Sequence, residues 1–296
     1  MKYLSSADMA KKWNISERMV RTYCAQNRIP CAFLVGKTWN IPFNAEKPSR
    51  KTKTHHDFSP VLTALKTQKD MKLSGGIYHK TQIELTYNSN HIEGNSLTPD
   101  QTRYIFETNT LGIEKQVINI DDVVETANHF KCVDYIIDNA TKPITESMIK
   151  ELHFMLKNGT SDSRKEWFNV GEYKKLPNEV GGKETCPPAK VRDAIKNLLL
   201  SYNNQEQKNL EQILDFHKNF ESIHPFQDGN GRVGRLLMFK ECLANNIVPF
   251  IIDDYHKMFY YRGLKEWDNE KGYLTDTCLS CQDKYKAWLD YFNIEY

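Results

Sequence analysis

The chain contains no run of about 18 apolar residues and no apolar core of a signal peptide at its start, which excludes a helical membrane span and points to the cytoplasm. Its seven cysteines are odd in number and scattered, an arrangement that argues against a disulfide framework. The close pair Cys278 and Cys281 has no second pair at zinc spacing and no strand before it, so it reads as two thiols on a helix. No segment repeats. What remains is ordinary for a globular protein: 296 residues, 40% hydrophobic and 26% charged, enough for about two domains. The net charge of +2 hides an asymmetry. Residues 1–55 hold eleven Lys/Arg against three Asp/Glu, net +8, while the rest holds 29 against 35, net −6. A basic head on a mildly acidic body suggests that the head has a polyanionic partner of its own.

In the head, Ser5 is placed to cap a short helix with Asp8 at the capping-carboxylate position, and Met9, Ala10 and Trp13 form its buried side. Asn14 and Ile15 turn the chain, Ser16 caps again, and residues 17–26 form a second helix with Val20, Tyr23 and Cys24 inward. Arg18, Arg21 and Thr22 fall on or near its outer side. Two short strands around Gly36 and Lys37 follow. Helix, turn, helix and hairpin over residues 1–45 resembles the small winged helix-turn-helix domains of MerR and excisionase type, which implies DNA contact through Arg18, Arg21 and Thr22. A protein-docking or vestigial module is the competing reading. Residues 46–57 hold almost no apolar side chain and read as a linker. The adjacent His55 and His56 there are poorly suited to chelate a metal.

Beyond the linker the periodicity is helical almost throughout, with helices expected over 77–93, 120–138, 145–156, 191–203, 210–223 and 233–245. Thr98-Pro99-Asp100-Gln101 supplies a capping box and a first-turn proline. The exception is 171–188, where two short extended stretches flank Gly181-Gly182 and predict a hairpin. Such a hairpin can pair with an extended target segment.

The stretch His224-Pro-Phe-Gln-Asp-Gly-Asn-Gly-Arg-Val-Gly-Arg235 carries the most chemistry. Apolar residues on both sides make it a loop between two buried helices, so backbone N–H groups gather at a helix N-terminus where an anion is favoured. Arg232 and Arg235 add cationic forks on one helix face. Asp228 suits Mg²⁺ held against phosphates, and His224 suits proton abstraction from a hydroxyl. No Gly-Lys-Ser/Thr follows the glycines, so this is not a Walker A loop.

Every specified position matches the signature of the Fic (Fido) family, H-x-F-x-[D/E]-G-N-G-R-x-x-R. A chance match is on the order of 10⁻¹⁰ per position tried, which sets coincidence aside. The resemblance implies a mainly α fold, a helical bundle with a β-hairpin flap, and transfer of AMP from ATP with Mg²⁺ to a Ser, Thr or Tyr hydroxyl of a target protein or of the chain itself. It implies His224 as base, Asp228 as metal ligand, and Gly229, Asn230 and Gly231 as the phosphate nest, the Asn230 side-chain amide donating to the α-phosphate. Arg232 then reaches the β-phosphate and Arg235 the γ-phosphate, with Phe226 a core anchor. Tyr260, Tyr261 and Leu264 fall where the family packs against adenine. Val180, Gly181, Gly182 and Lys183 fall on the flap that docks the target. The family often has arginine where Lys174 stands, which puts any guanidinium-specific role in doubt.

Upstream, Ser89-Asn-His-Ile-Glu93-Gly94 is similar to the family's inhibitory pattern [S/T]-x-x-x-E-[G/N]. Its bland alternative is a helix end with Gly94 after the cap. The resemblance implies that Glu93 pairs with Arg235 and repels the γ-phosphate, as in the regulatory class whose inhibitory helix lies N-terminal to the core. The expected division is a head at 1–45, linker 46–57, helices 58–142 including an inhibitory helix at 77–94, a catalytic core at 143–286 and a tail at 287–296. The expected partners are ATP, a target protein, DNA for the head, no membrane, and a homo-oligomer as an option. Two alternatives stand: Glu93 positions a water that removes AMP from a modified protein, or the core senses nucleotide for a transcription regulator.

Overall fold

The computed structural model describes residues 3–25, 29–36, 38–48, 59–112 and 117–296. Gln26, Lys37, most of the expected linker with His55 and His56, and the side chain of Thr22 lie outside the described set. The chain divides into two compact units, Met1–Asp57 and Phe58–Tyr296.

In the first unit, β1 (Tyr3–Ser5) leads into α1 (Ser6–Trp13), then α2 (Glu17–Ala25), β2 (Phe33–Val35) and β3 (Thr38–Pro42). Ser5 caps α1 by accepting from the Asp8 N–H and donating its hydroxyl to the Asp8 carboxylate at 2.7 Å. Asn14 ends the helix in the left-handed region, φ 52°, which asparagine tolerates. Met9, Ala10, Trp13, Val20, Tyr23, Cys24, Ile29 and Ile41 make a small core. Strand β1 was not expected; it pairs antiparallel with β3, giving the order β1-β3-β2. Three residues at a chain end carry too little alternation to announce a strand.

The second unit is mainly helical: α3 (Pro60–Asp70), α4 (Ile77–Ile92), α5 (Pro99–Thr108), α6 (Ile120–Asp138), α7 (Glu146–Lys157), β4 (Glu179–Val180), β5 (Lys183–Glu184), α8 (Pro188–Asn203), α9 (Leu210–Ile223), α10 (Asn230–Ala244), α11 (Lys257–Glu266) and α12 (Gly272–Tyr291). Both halves of the Thr98/Gln101 capping box form, and Asn209 with Gln212 makes another at α9. Helix α10 is central. Val233, Leu236, Leu237, Met238, Phe239, Cys242 and Leu243 are all at most 2% exposed, and it packs on α4, α6, α7 and α9. A helix buried on every face carries its polar groups inward, so Arg232 and Arg235 are buried too. Strands β4 and β5 form an exposed hairpin whose two central residues, Gly181 and Gly182, sit at φ 58° and 75°. Positive φ at both positions is the turn that matches strand twist, and glycine adopts it without steric cost. Cys278 and Cys281 are buried on α12, and among the described residues no cluster of His, Cys, Asp or Glu is built to hold a metal.

Candidate active site

The loop between α9 and α10 is clamped from three directions. Helix α9 stops at His224, whose backbone lies in the left-handed region at φ 52° and whose N–H donates to the Phe220 carbonyl. The Asn230 side chain accepts from the Phe226 N–H at 2.8 Å and donates back to its carbonyl at 2.9 Å. The Phe226 ring is fully buried and stacks on His153 of α7, centroids 3.9 Å apart. The His153 Nδ1 accepts from the Gly171 N–H, which leaves Nε2 to donate to the Asp228 carbonyl. Burial pushes that imidazole down to about 3, so it stays neutral. Gly229 then opens α10 at φ 81°, and the backbone N–H groups of the first turn face the loop.

His224 is half-buried, and its Nδ1 has no hydrogen-bond partner among the described residues. Burial lowers its pKa, and the nearby Lys174 charge lowers it further. A neutral imidazole is the form that accepts a proton.

Around Asp228 lies a charge cluster that only the structure reveals. Its Oδ2 takes Lys157 of α7 at 2.7 Å and Arg232 at 3.1 Å. Glu125 of α6 receives both Lys157 and Arg232, and Asp162 receives Lys157 at 2.9 Å. Burial alone would raise the Asp228 carboxyl; the Arg232 and Lys157 charges overturn that and hold it well below the carboxylate range. Lys165 also pairs with Asp162, at 2.6 Å, so three carboxyl groups face three cations, and the Asp228 side chain remains 48% exposed. Mg²⁺ uses one or two carboxylates plus substrate phosphates and water, so this half-exposed, ionised carboxylate fits the ion. The Arg232 Nε is buried without a partner among the described residues, a donor suited to an anion.

Arg235, 4% exposed, is fully engaged with α4. Its Nε donates to the Ser89 Oγ at 3.1 Å, and Nη2 donates to the Ser89 carbonyl at 2.8 Å and the Glu93 carboxylate at 2.7 Å. Glu93 caps α4 and Gly94 follows at φ 94°. A Cβ on Gly231 would lie 2.2 Å from the Glu93 Oε1, so that carboxylate rests directly on the first turn of α10. It occupies the anion-favouring end of the helix.

Two expectations require correction. The Asn230 side chain is 1% exposed and holds the Phe226 backbone through both polar atoms, so burial keeps its amide from a phosphate. Its backbone N–H stays in the nest. Tyr260 is a core residue, 1% exposed, with its hydroxyl on His217 at 2.7 Å, and presents no face to a base. Tyr261 is 40% exposed with its hydroxyl near the Ile92 carbonyl at 3.5 Å, and Leu264 packs half-buried beside the Tyr260 cluster. Val180, Gly181, Gly182 and Lys183 lie at the exposed hairpin tip. In the first unit, Arg18 is exposed, and Arg21 forms an ion pair with Glu17 at 2.6 Å on its own helix. Sequence reasoning missed Glu125, Lys157 and His153.

Residues 143–242 match the sequence model of the Fic/DOC family. The protein adenylyltransferase Fic of Nematostella vectensis is 29% identical over 185 residues, 61% of this chain and 42% of that protein. That of Aedes aegypti is 30% identical over 183 residues, 60% of this chain and 36% of that protein. The chain thus matches less than half the length of these curated relatives. A Fic domain containing signaling protein from Bacteroides thetaiotaomicron superposes with a TM-score of 0.59 at 27% identity, over 81% of this chain and 87% of that one. A Fic family protein from Desulfovibrio desulfuricans shares the fold, TM-score 0.59 at 20% identity, over 80% and 77%. Residues 143–242 are thus similar in sequence to the Fic/DOC family, and the helical fold around them is one that these solved Fic structures share.

Proposed function

We propose that this chain transfers AMP from ATP to a hydroxyl of a target protein or of itself, and that α4 holds the reaction off until Glu93 is displaced. In the transfer, the neutral His224 takes the hydroxyl proton while the oxygen bonds to the α-phosphorus and pyrophosphate leaves. Backbone N–H groups of Gly229, Asn230 and Gly231 receive phosphate oxygens at the head of α10. Arg232 serves the β-phosphate and Arg235 the γ-phosphate. Asp228 is the residue that would hold Mg²⁺, which would offset the charge of the phosphates. The curated relatives named protein adenylyltransferase support the reaction.

The observation that carries the regulated reading is the Glu93 carboxylate resting on Gly231 while paired to Arg235. Carboxylate and γ-phosphate are both anions competing for one guanidinium, so each excludes the other. One charge-assisted bond to the phosphate is worth about 1.5–3 kcal/mol, hence roughly tenfold or more in ATP affinity. With ATP labelled in the α-phosphate, Glu93→Gly should label protein where the wild type labels little, and should bind ATP more tightly. Arg235→Ala should not mimic it, since that change removes brake and clamp together. Equal labelling of both proteins at saturating ATP and Mg²⁺ refutes the brake. Label lost from a previously modified protein, dependent on Glu93, would favour AMP removal instead.

We read the first unit as a DNA-binding head. Its net charge of +7 (eleven Lys/Arg against four Asp/Glu over residues 1–57) and its two helices with a small antiparallel sheet support a winged helix-turn-helix.

A further inference from the structure

Lys174 lies between Gly171 and the flap, and it is 4% exposed with no carboxylate among the described residues paired to it. Its ammonium donates to the Asn178 Oδ1 at 2.7 Å, to the Thr185 Oγ1 at 2.5 Å and to the Ile223 carbonyl at 3.4 Å. Its backbone N–H donates to the Pro225 carbonyl at 2.9 Å. These partners belong to two groups. Asn178 and Thr185 are the two legs of the hairpin, just before β4 and just after β5, and the Thr185 N–H closes them together on the Asn178 carbonyl. Ile223 and Pro225 are the two neighbours of His224. Asn178 adds a second bond across the same seam, donating to the Phe226 carbonyl at 3.0 Å.

We propose that Lys174 is a positioning residue of the transfer reaction, a single buried amine that fastens the flap to the loop carrying His224. One side chain thereby sets both where an acceptor segment docks and where the base stands. The inference rests on reading the hairpin as the acceptor-docking element and His224 as the base. A lysine uses three donors only while protonated, and all three have acceptors here. The charge also acts on His224, where it opposes protonation of the imidazole while the Glu221 carbonyl favours it most and Glu93 and Asp228 favour it less. Opposite Lys174 itself stands the Cys186 thiol, which favours the ammonium weakly; burial outweighs it and brings the amine down to about 8. The fastening is therefore charged at neutral pH and weakens as the medium turns alkaline. An arginine at this position would keep its charge throughout.

The test uses the full chain with Glu93→Gly, α-labelled ATP, and two products read together across pH: AMP on protein and free AMP released to water. Amide hydrogen exchange of residues 176–186 is followed in parallel. Lys174→Met should reduce protein labelling about tenfold, the effect of one lost charge-assisted bond, with a smaller loss of water-acceptor turnover. Its flap amides should exchange faster, and its acidic limb should move up towards the ordinary imidazole range. Thr185→Val, which cuts one leg and leaves the ammonium in place, should reproduce the labelling loss and faster exchange with the acidic limb unmoved. Lys174→Arg should keep the parent's acidic limb and abolish the decline near pH 8. Parental labelling, exchange and acidic limb in Lys174→Met overturn the proposal; so does a labelling loss in Thr185→Val without faster flap exchange. If the Glu93→Gly parent yields neither product, the transferase reading fails, and hydrogen exchange alone still decides whether Lys174 fastens the flap.

Discussion

His224 combines three conditions that a general base needs. It is held at a helix end by its own left-handed backbone, it is shielded enough to stay neutral, and it borders the N-terminus of α10 where phosphate would sit. His224→Ala should abolish AMP transfer, a loss of about 10²–10⁴-fold for the proton transfer alone, while ATP binding measured by calorimetry in the Glu93→Gly background survives. Lost binding with an intact fold would make the histidine a ligand contact instead. The pH dependence has a definite sign. Only the neutral ring accepts the proton, and burial plus Lys174 lower its pKa, so the acidic decline in rate should set in below the ordinary imidazole value of about 6.5. At this scale the twelve-residue loop was readable because its chemistry is contiguous. Glu125 was not readable, since it meets Arg232 across 107 residues and Lys157 across 32. A glutamate within a helix and a lysine in a last turn are ordinary surface features until the fold brings them together. Asn230 and Tyr260 were assigned to ligand because their types suit one; burial and local partners claimed them first.

Helices α6, α7 and α10 are locked where Glu125, Lys157 and Arg232 converge, and that junction holds Asp228 in its charged form. Lys157 is 3% exposed and answers three carboxyl groups. Lys157→Met should therefore cost about 3–5 kcal/mol in urea unfolding, the penalty for leaving buried charge uncompensated. A change within about 0.5 kcal/mol would show the network to be energetically idle. Element positions followed from local signals wherever such signals exist: Asn209 and Thr98 with their glutamines mark helix starts, and Gly181-Gly182 marks the turn between β4 and β5. The starts of α8 and α10 fall three residues earlier than periodicity suggested, at Pro188 and Asn230, because a proline and a glycine-rich turn begin them without an apolar residue to announce the face. That Ser89 and Glu93 face Arg235 is a property of how α4 packs on α10, which spacing along one helix cannot supply.

On the scale of the molecule, the charge is divided as the chain is, with the basic excess concentrated in the first unit. Binding of duplex DNA by that unit should be driven mainly by phosphates, since Arg18 on the exposed side of α2 and the surrounding lysines carry the field rather than a dense set of base-reading side chains. Arg21 must first leave Glu17, but an exposed pair of this kind is weak and screened by salt, so a phosphate can displace it. Titrating the full chain onto duplex DNA from its own promoter region should give an affinity that falls about 10³-fold or more between roughly 50 and 200 mM salt, the loss for about six phosphate contacts. Arg18→Ala should weaken binding across all sequences and lower the slope of log affinity against log salt by about one. Arg21→Ala should also weaken it, its phosphate contact forming at the expense of the Glu17 pair. A salt-insensitive shift, or none, would assign the +7 of the first unit to docking on an acidic protein surface.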